Sequence, residues 1–164
     1  MAMNSLKDVY LDQLRDIWSA NKQSLDATND LAGAAKNEEL VKALQAGAKG
    51  ISDGMEKISK LCDDHGIDKT GEHCKGMEGL VKEARAHSLE EDFGDDDARD
   101  AMIITQYQRM VHYGLAGYGC LAAFANRLGL DGDGAVLKEC LDQTYDGDRH
   151  MTEIATSGVN KAAA

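Results

Sequence analysis

Proline is absent from this 164-residue sequence, so the usual interruption of a long α-helix is missing. Aromatic residues are few, with two Phe and one Trp, and runs of β-branched residues are nearly absent, which disfavours a β-rich fold. No apolar run approaches the roughly 18 residues of a membrane-spanning helix. These absences predict a helical protein without a membrane partner.

Positive charge is also scarce, because 18 Lys and Arg stand against 29 Asp and Glu and the formal net charge is −11. A nucleic-acid partner would require a basic face, so none is expected. The start of the chain, Met1 to Lys7, lacks the basic and then apolar segments of a signal peptide. We therefore expect a cytoplasmic protein.

The four cysteines are Cys62, Cys74, Cys120 and Cys140. No two of them have CxxC spacing, and a reducing compartment makes a disulfide framework unexpected. Cys120 and Cys140 are interpreted as small, buried, apolar side chains.

Apolar residues recur with the period of an amphipathic helix in four long segments. We predict helices at about 6–32, 37–65, 97–128 and 134–159, joined in the middle by a crossover, 66–96, that contains a short extra helix. Gly66 and Gly129 are the expected stops after the second and third long helices. Residues 1–164 are expected to form a single domain.

The lengths of the connections predict the topology. The first and last connections are only a few residues long, which predicts two antiparallel hairpins, whereas the middle link of about 30 residues is long enough to cross a bundle. Two hairpins joined by one crossover form the ferritin-like topology. The predicted fold is therefore all-α, a ferritin-like antiparallel four-helix bundle. An up-down-up-down bundle is the alternative, but it leaves the long link unexplained.

Local strings resemble the YciF-type family of bacterial ferritin-like stress proteins over about residues 6–161. These strings are Leu6-Lys7-Asp8-Val9-Tyr10, Lys22-Gln23, Cys74, Met77-Glu78-Gly79-Leu80, Arg99-Asp100-Ala101, His112-Tyr113, Ala116-Gly117-Tyr118-Gly119, Leu137, Glu139, Leu141 and Asp148. The resemblance implies a homodimer and a di-iron or di-manganese site. Its ligands would be one glutamate on the first helix, His-x-x-Glu on the second, a glutamate on the third and Glu-x-x-x-Asp on the fourth.

The chain departs from that ligand pattern at five of the six positions. The equivalent residues are Asn21, Gly47, Gly50, Val111, Thr144 and Asp148, and only Asp148 keeps the expected type. Asn and Thr offer weak neutral oxygens, and Gly and Val offer no side-chain donor. Since one carboxylate cannot neutralise two divalent ions, we predict no metal cofactor and disfavour di-iron oxidase chemistry.

Two non-catalytic functions remain open. In the first, the protein is a metal-free structural or interaction homodimer of the stress response, with Tyr107 or Tyr118 lying across the glycines of the second helix. In the second, loss of the ligands leaves a pocket for a small molecule. That pocket would be lined by the six ligand-equivalent positions together with Gly54, Tyr107, Gly114 and Tyr118.

A relocated metal site is the third alternative. Cys62 and His65 share one helix face, and His73 and Cys74 follow nearby, which is a conceivable zinc set although adjacent ligands are awkward. A second candidate set is His112, His150 and Asp148.

Overall fold

Residues 3–164, the part of the chain that the computed structural model describes, consist of helices and connecting turns without a strand. In chain order the helices are α1 (Leu6–Ala34), α2 (Glu38–Asp64), α3 (Lys75–Arg85), α4 (Asp96–Arg127), α5 (Asp131–Ile154) and α6 (Asn160–Ala162). π-helical turns follow α3 at Ala86–Glu90 and α5 at Ala155–Val159. Within these residues no helix combines the length and apolarity needed to cross a membrane. The first two residues of the Met1–Lys7 stretch lie outside the described part.

The all-helical prediction is confirmed. α5 differs most from its predicted bounds: it begins at Asp131 rather than at 134, and it ends at Ile154, where a π-helical turn continues to Val159. Asp131 and Asp133 lie in its first turn, where the positive end of the helix dipole favours acidic side chains. Gly66 and Gly129 follow α2 and α4 with φ angles of 65° and 70°, in the left-handed region that glycine adopts most easily.

Short polar side chains cap the beginnings of α1, α2 and α4. Ser5 Oγ accepts a hydrogen bond from the backbone N–H of Asp8 at 3.1 Å, and the Asp8 carboxylate accepts one from the Ser5 hydroxyl at 2.8 Å. Asn37 Oδ1 accepts hydrogen bonds from two backbone N–H groups at the start of α2. Asp95 Oδ1 accepts one from the backbone N–H of Asp97 at the start of α4. These caps satisfy backbone donors that would otherwise lack partners.

The four longest helices pack in a closed cycle. α1 contacts α2 and α4, α5 contacts α2 and α4, and α3 lies against α1 and α4. The largest fully buried side chains come from all five helices α1–α5 and form one core: Tyr10, Leu14, Ile17, Leu31, Leu40, Leu44, Ile58, Met77, Ile103, Leu121, Leu137 and Met151.

Cys140 belongs to this core, but Cys120 is exposed, so its predicted burial was wrong. Cys120 lies two residues after buried Tyr118, about 200° around α4, and therefore faces away from the core.

A buried carboxylate fixes the turn between α1 and α2. Asp100 of α4 is fully buried, and it accepts hydrogen bonds from the backbone N–H groups of Lys36 at 3.0 Å and Asn37 at 2.6 Å. Both donors belong to the three-residue connection that precedes α2. Asp100 therefore couples the first hairpin to the second half of the chain.

We predict that Asp100→Ala lowers the free energy of unfolding by about 1–3 kcal/mol, because it leaves the two partly buried N–H groups of Lys36 and Asn37 without acceptors. Asp100→Asn keeps one side-chain oxygen as an acceptor, so its free energy of unfolding should fall by less. Urea unfolding followed by circular dichroism measures both, with the exposed Asp146→Asn as the matched control. If the free energy of unfolding fell by the same small amount in all three variants, this role of Asp100 would be contradicted.

Candidate functional site

A cavity of about 190 Å³ lies between α1, α2, α4 and α5, with Met77 of α3 closing one side. Small and apolar residues form most of its wall, and none of the described residues that line it is Asp, Glu, Lys or Arg. The interior of this cavity therefore carries no fixed charge of its own.

Most of the residues that the sequence singled out line this cavity. Five of the six ligand-equivalent positions do so, and so do the four further residues proposed for the pocket: Asn21, Gly47, Gly50, Val111, Thr144, Gly54, Tyr107, Gly114 and Tyr118. They come from four different helices, α1, α2, α4 and α5, and meet because each occupies the inward stripe of its own helix.

Asp148 is the exception, and its predicted place in the pocket was wrong. Its carboxylate is turned towards α4, where Oδ1 lies 3.1 Å from Nε2 of Gln108 and 3.0 Å from Nε2 of His112. The cavity face of α5 carries Thr144 and Gly147 instead. Asp148 is one residue, about 100°, past Gly147 and so lies at the edge of this face.

Two tyrosines of α4 lie across the glycines of α2. A Cβ atom on Gly47 would overlap the hydroxyl of Tyr107, and one on Gly54 would lie 2.7 Å from the hydroxyl of Tyr118. At Gly50, between them, a Cβ would meet nothing within 4 Å. The two tyrosines therefore fill the space beside Gly47 and Gly54, and the space beside Gly50 remains open.

The two tyrosine hydroxyls differ in their partners. Asn21 Nδ2 lies 2.7 Å from Oη of Tyr118, so these two polar groups satisfy each other inside the wall. Tyr107 is 4% exposed, and no described residue makes a hydrogen bond with its hydroxyl. Burial, followed by the charge of Asp148, raises the pKa of Tyr107 to about 12. Its phenol therefore stays protonated and presents a free donor.

The remaining hydroxyls of the wall are already engaged. Those of Ser24, Thr28 and Thr144 donate to backbone carbonyl oxygens of their own helices at 3.1, 2.7 and 2.7 Å. The hydroxyl of Tyr107 is thus distinct among the hydroxyls that line the cavity.

The cavity reaches solvent between α2 and α5. Gly50 on α2 and Gly147, Gln143 and His150 on α5 line it and are exposed. Neither glycine has a side chain to close this gap, and a Cβ on either one would meet nothing within 4 Å. A small molecule therefore has a direct route from solvent to the centre.

The residues at the ligand-equivalent positions do not fit a di-metal group. Two divalent ions require several carboxylate oxygens that converge from different helices, whereas neutral Asn21, Thr144 and Val111 face this cavity. Across residues 3–164, no group of three or more His, Cys, Asp or Glu side chains is arranged to hold a metal ion.

The four residues of the conceivable zinc set do not converge either. His65 binds Asp133 of α5, with 2.6 Å between Nε2 and Oδ2, while His73 makes an exposed pair with Glu78 at 2.9 Å. Cys74 instead accepts the hydrogen bond that begins α3. Burial raises the pKa of Cys62 to about 11, which disfavours the thiolate that zinc binds.

The second candidate set is only partly brought together. His112 meets Asp148 on the outer side of α4 and α5, whereas His150 lies at the mouth of the cavity and pairs with Glu153 at 3.7 Å. The imidazoles of His112 and His150 are mostly exposed, and they pair with different carboxylates.

Sequence reasoning missed the network around Asp133, which joins three helices. Oδ2 of Asp133 accepts a hydrogen bond from Tyr10 at 2.7 Å, and Nδ1 of His65 lies 3.0 Å from Nζ of Lys7. Burial opposes ionisation of Asp133, but the hydrogen bonds from His65 and Tyr10 outweigh it and lower its pKa. Tyr10 and Asp133 lie 123 residues apart in the sequence, so no local spacing signals this network.

With this geometry established, comparison with known proteins assigns the family. The model of a family described as a domain of unknown function, DUF892, matches residues 5–164. The chain belongs to the DUF892 family. Protein YciF of Escherichia coli K12 is 34% identical to it over 164 residues, covering 99% of this chain and 98% of YciF.

Two solved structures of similar proteins agree with this assignment. The crystal structure of the E. coli stress protein YciF matches with a TM-score of 0.89 and 33% identity, over 97% of this DUF892 chain and 99% of YciF. YcfI of Rhodopseudomonas palustris, whose description suggests a structural role, matches with a TM-score of 0.85 and 28% identity, over 91% and 94% of the two chains.

Two glycines of α2, Gly50 and Gly54, give a direct test of the cavity wall. Gly50→Ala should raise the free energy of unfolding by about 0.5–1 kcal/mol, because alanine favours a helix and meets no neighbour. Gly54→Ala should lower it by about 1–3 kcal/mol, because the methyl group displaces Tyr118 from Asn21.

Urea unfolding of both variants, compared at equal protein concentration, measures this difference. A loss of stability in Gly50→Ala as large as that in Gly54→Ala would show that the gap beside Gly50 is closed in solution.

Proposed function

We propose that this DUF892 protein is a non-catalytic stress-response protein with a ferritin-like bundle, in which the di-iron centre has been lost and the vacated interior binds a small molecule. The observation that carries the proposal is the uncharged cavity at the ligand-equivalent positions, with the unpaired hydroxyl of Tyr107 inside it.

The ferritin-like part rests on the order of the helices and their contacts. α1 and α2 are joined by three residues and pack together, as do α4 and α5, while the long connection carries α3 across α1 and α4. Two hairpins joined by one long crossover is the arrangement of ferritin-like proteins.

The loss of the metal centre rests on the types of side chain. At the positions where the family pattern requires carboxylates and an imidazole, the cavity wall carries an amide, two glycines, a valine and a threonine. Tyr107 and Tyr118 occupy part of the space beside those glycines. These residues supply packing and neutral polar groups rather than charge for a divalent ion.

The proposal that the cavity binds a small molecule rests on the size of the cavity and on its opening to solvent. An apolar cavity of about 150 Å³ engineered into another protein binds benzene, so about 190 Å³ is enough for one ring with a small substituent. The open gap between Gly50 and Gly147 allows such a molecule to enter without unfolding the core.

A structural role as a homodimer is the second candidate function. It is favoured by the similarity to YcfI, whose description suggests a structural role. Light scattering coupled to size-exclusion chromatography tests it, because a homodimer has twice the mass of one chain.

We predict that the protein, purified without chelator from cells supplied with iron and manganese, contains far less than one ion of either metal per chain. Elemental analysis by mass spectrometry measures the content. Near-stoichiometric iron or manganese would contradict the proposed loss of the centre.

We also predict that toluene, used as a neutral probe, raises the melting temperature by binding the folded state. Gly50→Leu should abolish this effect while it keeps the fold, because a leucine there has room to enter the cavity. An unchanged wild-type melting temperature at saturation with toluene, together with no binding of the other neutral single-ring probes used below, would overturn the binding proposal.

A further inference from the structure

The polar groups of the cavity restrict the chemistry of a ligand beyond its size. Inside the wall, Asn21 and Tyr118 lie 2.7 Å apart and satisfy each other in either orientation of the amide. The hydroxyls of Ser24, Thr28 and Thr144 donate to backbone carbonyls. Tyr107, which is 96% buried and has no partner among the described residues, is the group left to bind a ligand.

The electrostatics of the site exclude an anion. No Lys or Arg is among the described residues of the lining, and the imidazole of His150 lies at the exposed mouth beside Glu153, so a carboxylate or phosphate buried in the interior would have no counter-ion there. The nearby charge on Asp148 would repel it, and the same charge contributes to keeping the phenol of Tyr107 protonated. A ligand that suits this interior is neutral.

The donor on Tyr107 also selects among neutral ligands. A carbonyl oxygen accepts a hydrogen bond without bringing a proton of its own, whereas an alcohol or an amine brings a further buried donor that needs an acceptor. A hydrocarbon fills the volume but leaves the hydroxyl of Tyr107 unpaired.

We infer that the cavity binds a neutral carbonyl compound of single-ring size, an aromatic ketone or a monocyclic quinone, whose oxygen accepts a hydrogen bond from the hydroxyl of Tyr107. This assignment rests on the proposed binding function and adds the chemical class of the ligand. The ring lies beside Gly50 and Val111, and the ligand enters between α2 and α5.

Three probes of similar size test the assignment by isothermal titration calorimetry on the full chain. Acetophenone carries the carbonyl, α-methylstyrene replaces its oxygen with a CH₂ group, and benzoate carries a negative charge. We expect the wild-type protein to bind acetophenone and α-methylstyrene and to reject benzoate.

Tyr107→Phe supplies the decisive comparison. Removal of the hydroxyl should lower the affinity for acetophenone by about twofold to tenfold, because it removes one neutral hydrogen bond. The affinity for α-methylstyrene should stay unchanged. The matched control is Tyr145→Phe, which removes the hydroxyl of an exposed tyrosine on α5 and should change neither affinity. The urea midpoint of unfolding of Tyr107→Phe should equal or exceed that of the wild type, because the hydroxyl of Tyr107 has no partner among the described residues.

The outcomes separate this inference from the proposed function. Equal affinities of Tyr107→Phe and wild type for acetophenone, or tight binding of benzoate, would overturn the assigned ligand class while toluene binding still supports a pocket. Failure of toluene, acetophenone and α-methylstyrene alike to bind the wild-type protein would overturn both proposals.

Discussion

Two tyrosine side chains hold the centre of this structure open. Tyr107 and Tyr118 extend from α4 across the interior to Gly47 and Gly54 of α2, although α2 and α4 are not neighbours in the cycle of packed helices. Each glycine costs about 1 kcal/mol of helix propensity relative to alanine, yet a Cβ at either position would collide with a tyrosine. Gly47 and Gly54 are seven residues apart, about 10 Å along the helix, and Gly50 lies between them. The two tyrosines therefore contact α2 at separate points, and the cavity is the space between them.

The same contacts explain why this cavity is not simply closed by the surrounding helices. Small residues on α2 and α5 would otherwise allow the two helices to approach, and removing an internal void is favourable. The rings of Tyr107 and Tyr118 are rigid and almost fully buried, and the second is fixed further by Asn21 of α1. Seven residues before Tyr107 on the same helix, Asp100 holds the turn between α1 and α2. α4 therefore positions α2 from its first turn as far as Gly54, and the cavity beside Gly50 persists.

The helices and most of the cavity wall could be predicted from the sequence because both depend on local periodicity. A helix presents every third or fourth residue to the same side, so Asn21, Gly47 and Thr144 were expected to face inward, and all three line the cavity. Asp148 lies at the margin of such a stripe, where the partners Gln108 and His112 on another helix decide its direction. The pairing of His65 with Asp133 likewise depends on how α2 and α5 meet. Neither side-chain direction nor helix contact is encoded in spacing along one segment.

The proposed replacement of the metal ligands would reverse the kind of partner that the centre attracts. A di-metal site is rich in carboxylate oxygens, which accept and carry negative charge, so it requires cations. In this chain the inward positions carry no charge, and the unpaired group that remains, the hydroxyl of Tyr107, is a donor. The hydroxyl adds nothing to the packing of the ring, because it has no partner among the described residues and phenylalanine would fill the same volume. Under the binding proposal this donor has a use that core packing does not give it, and it is the main support for that proposal.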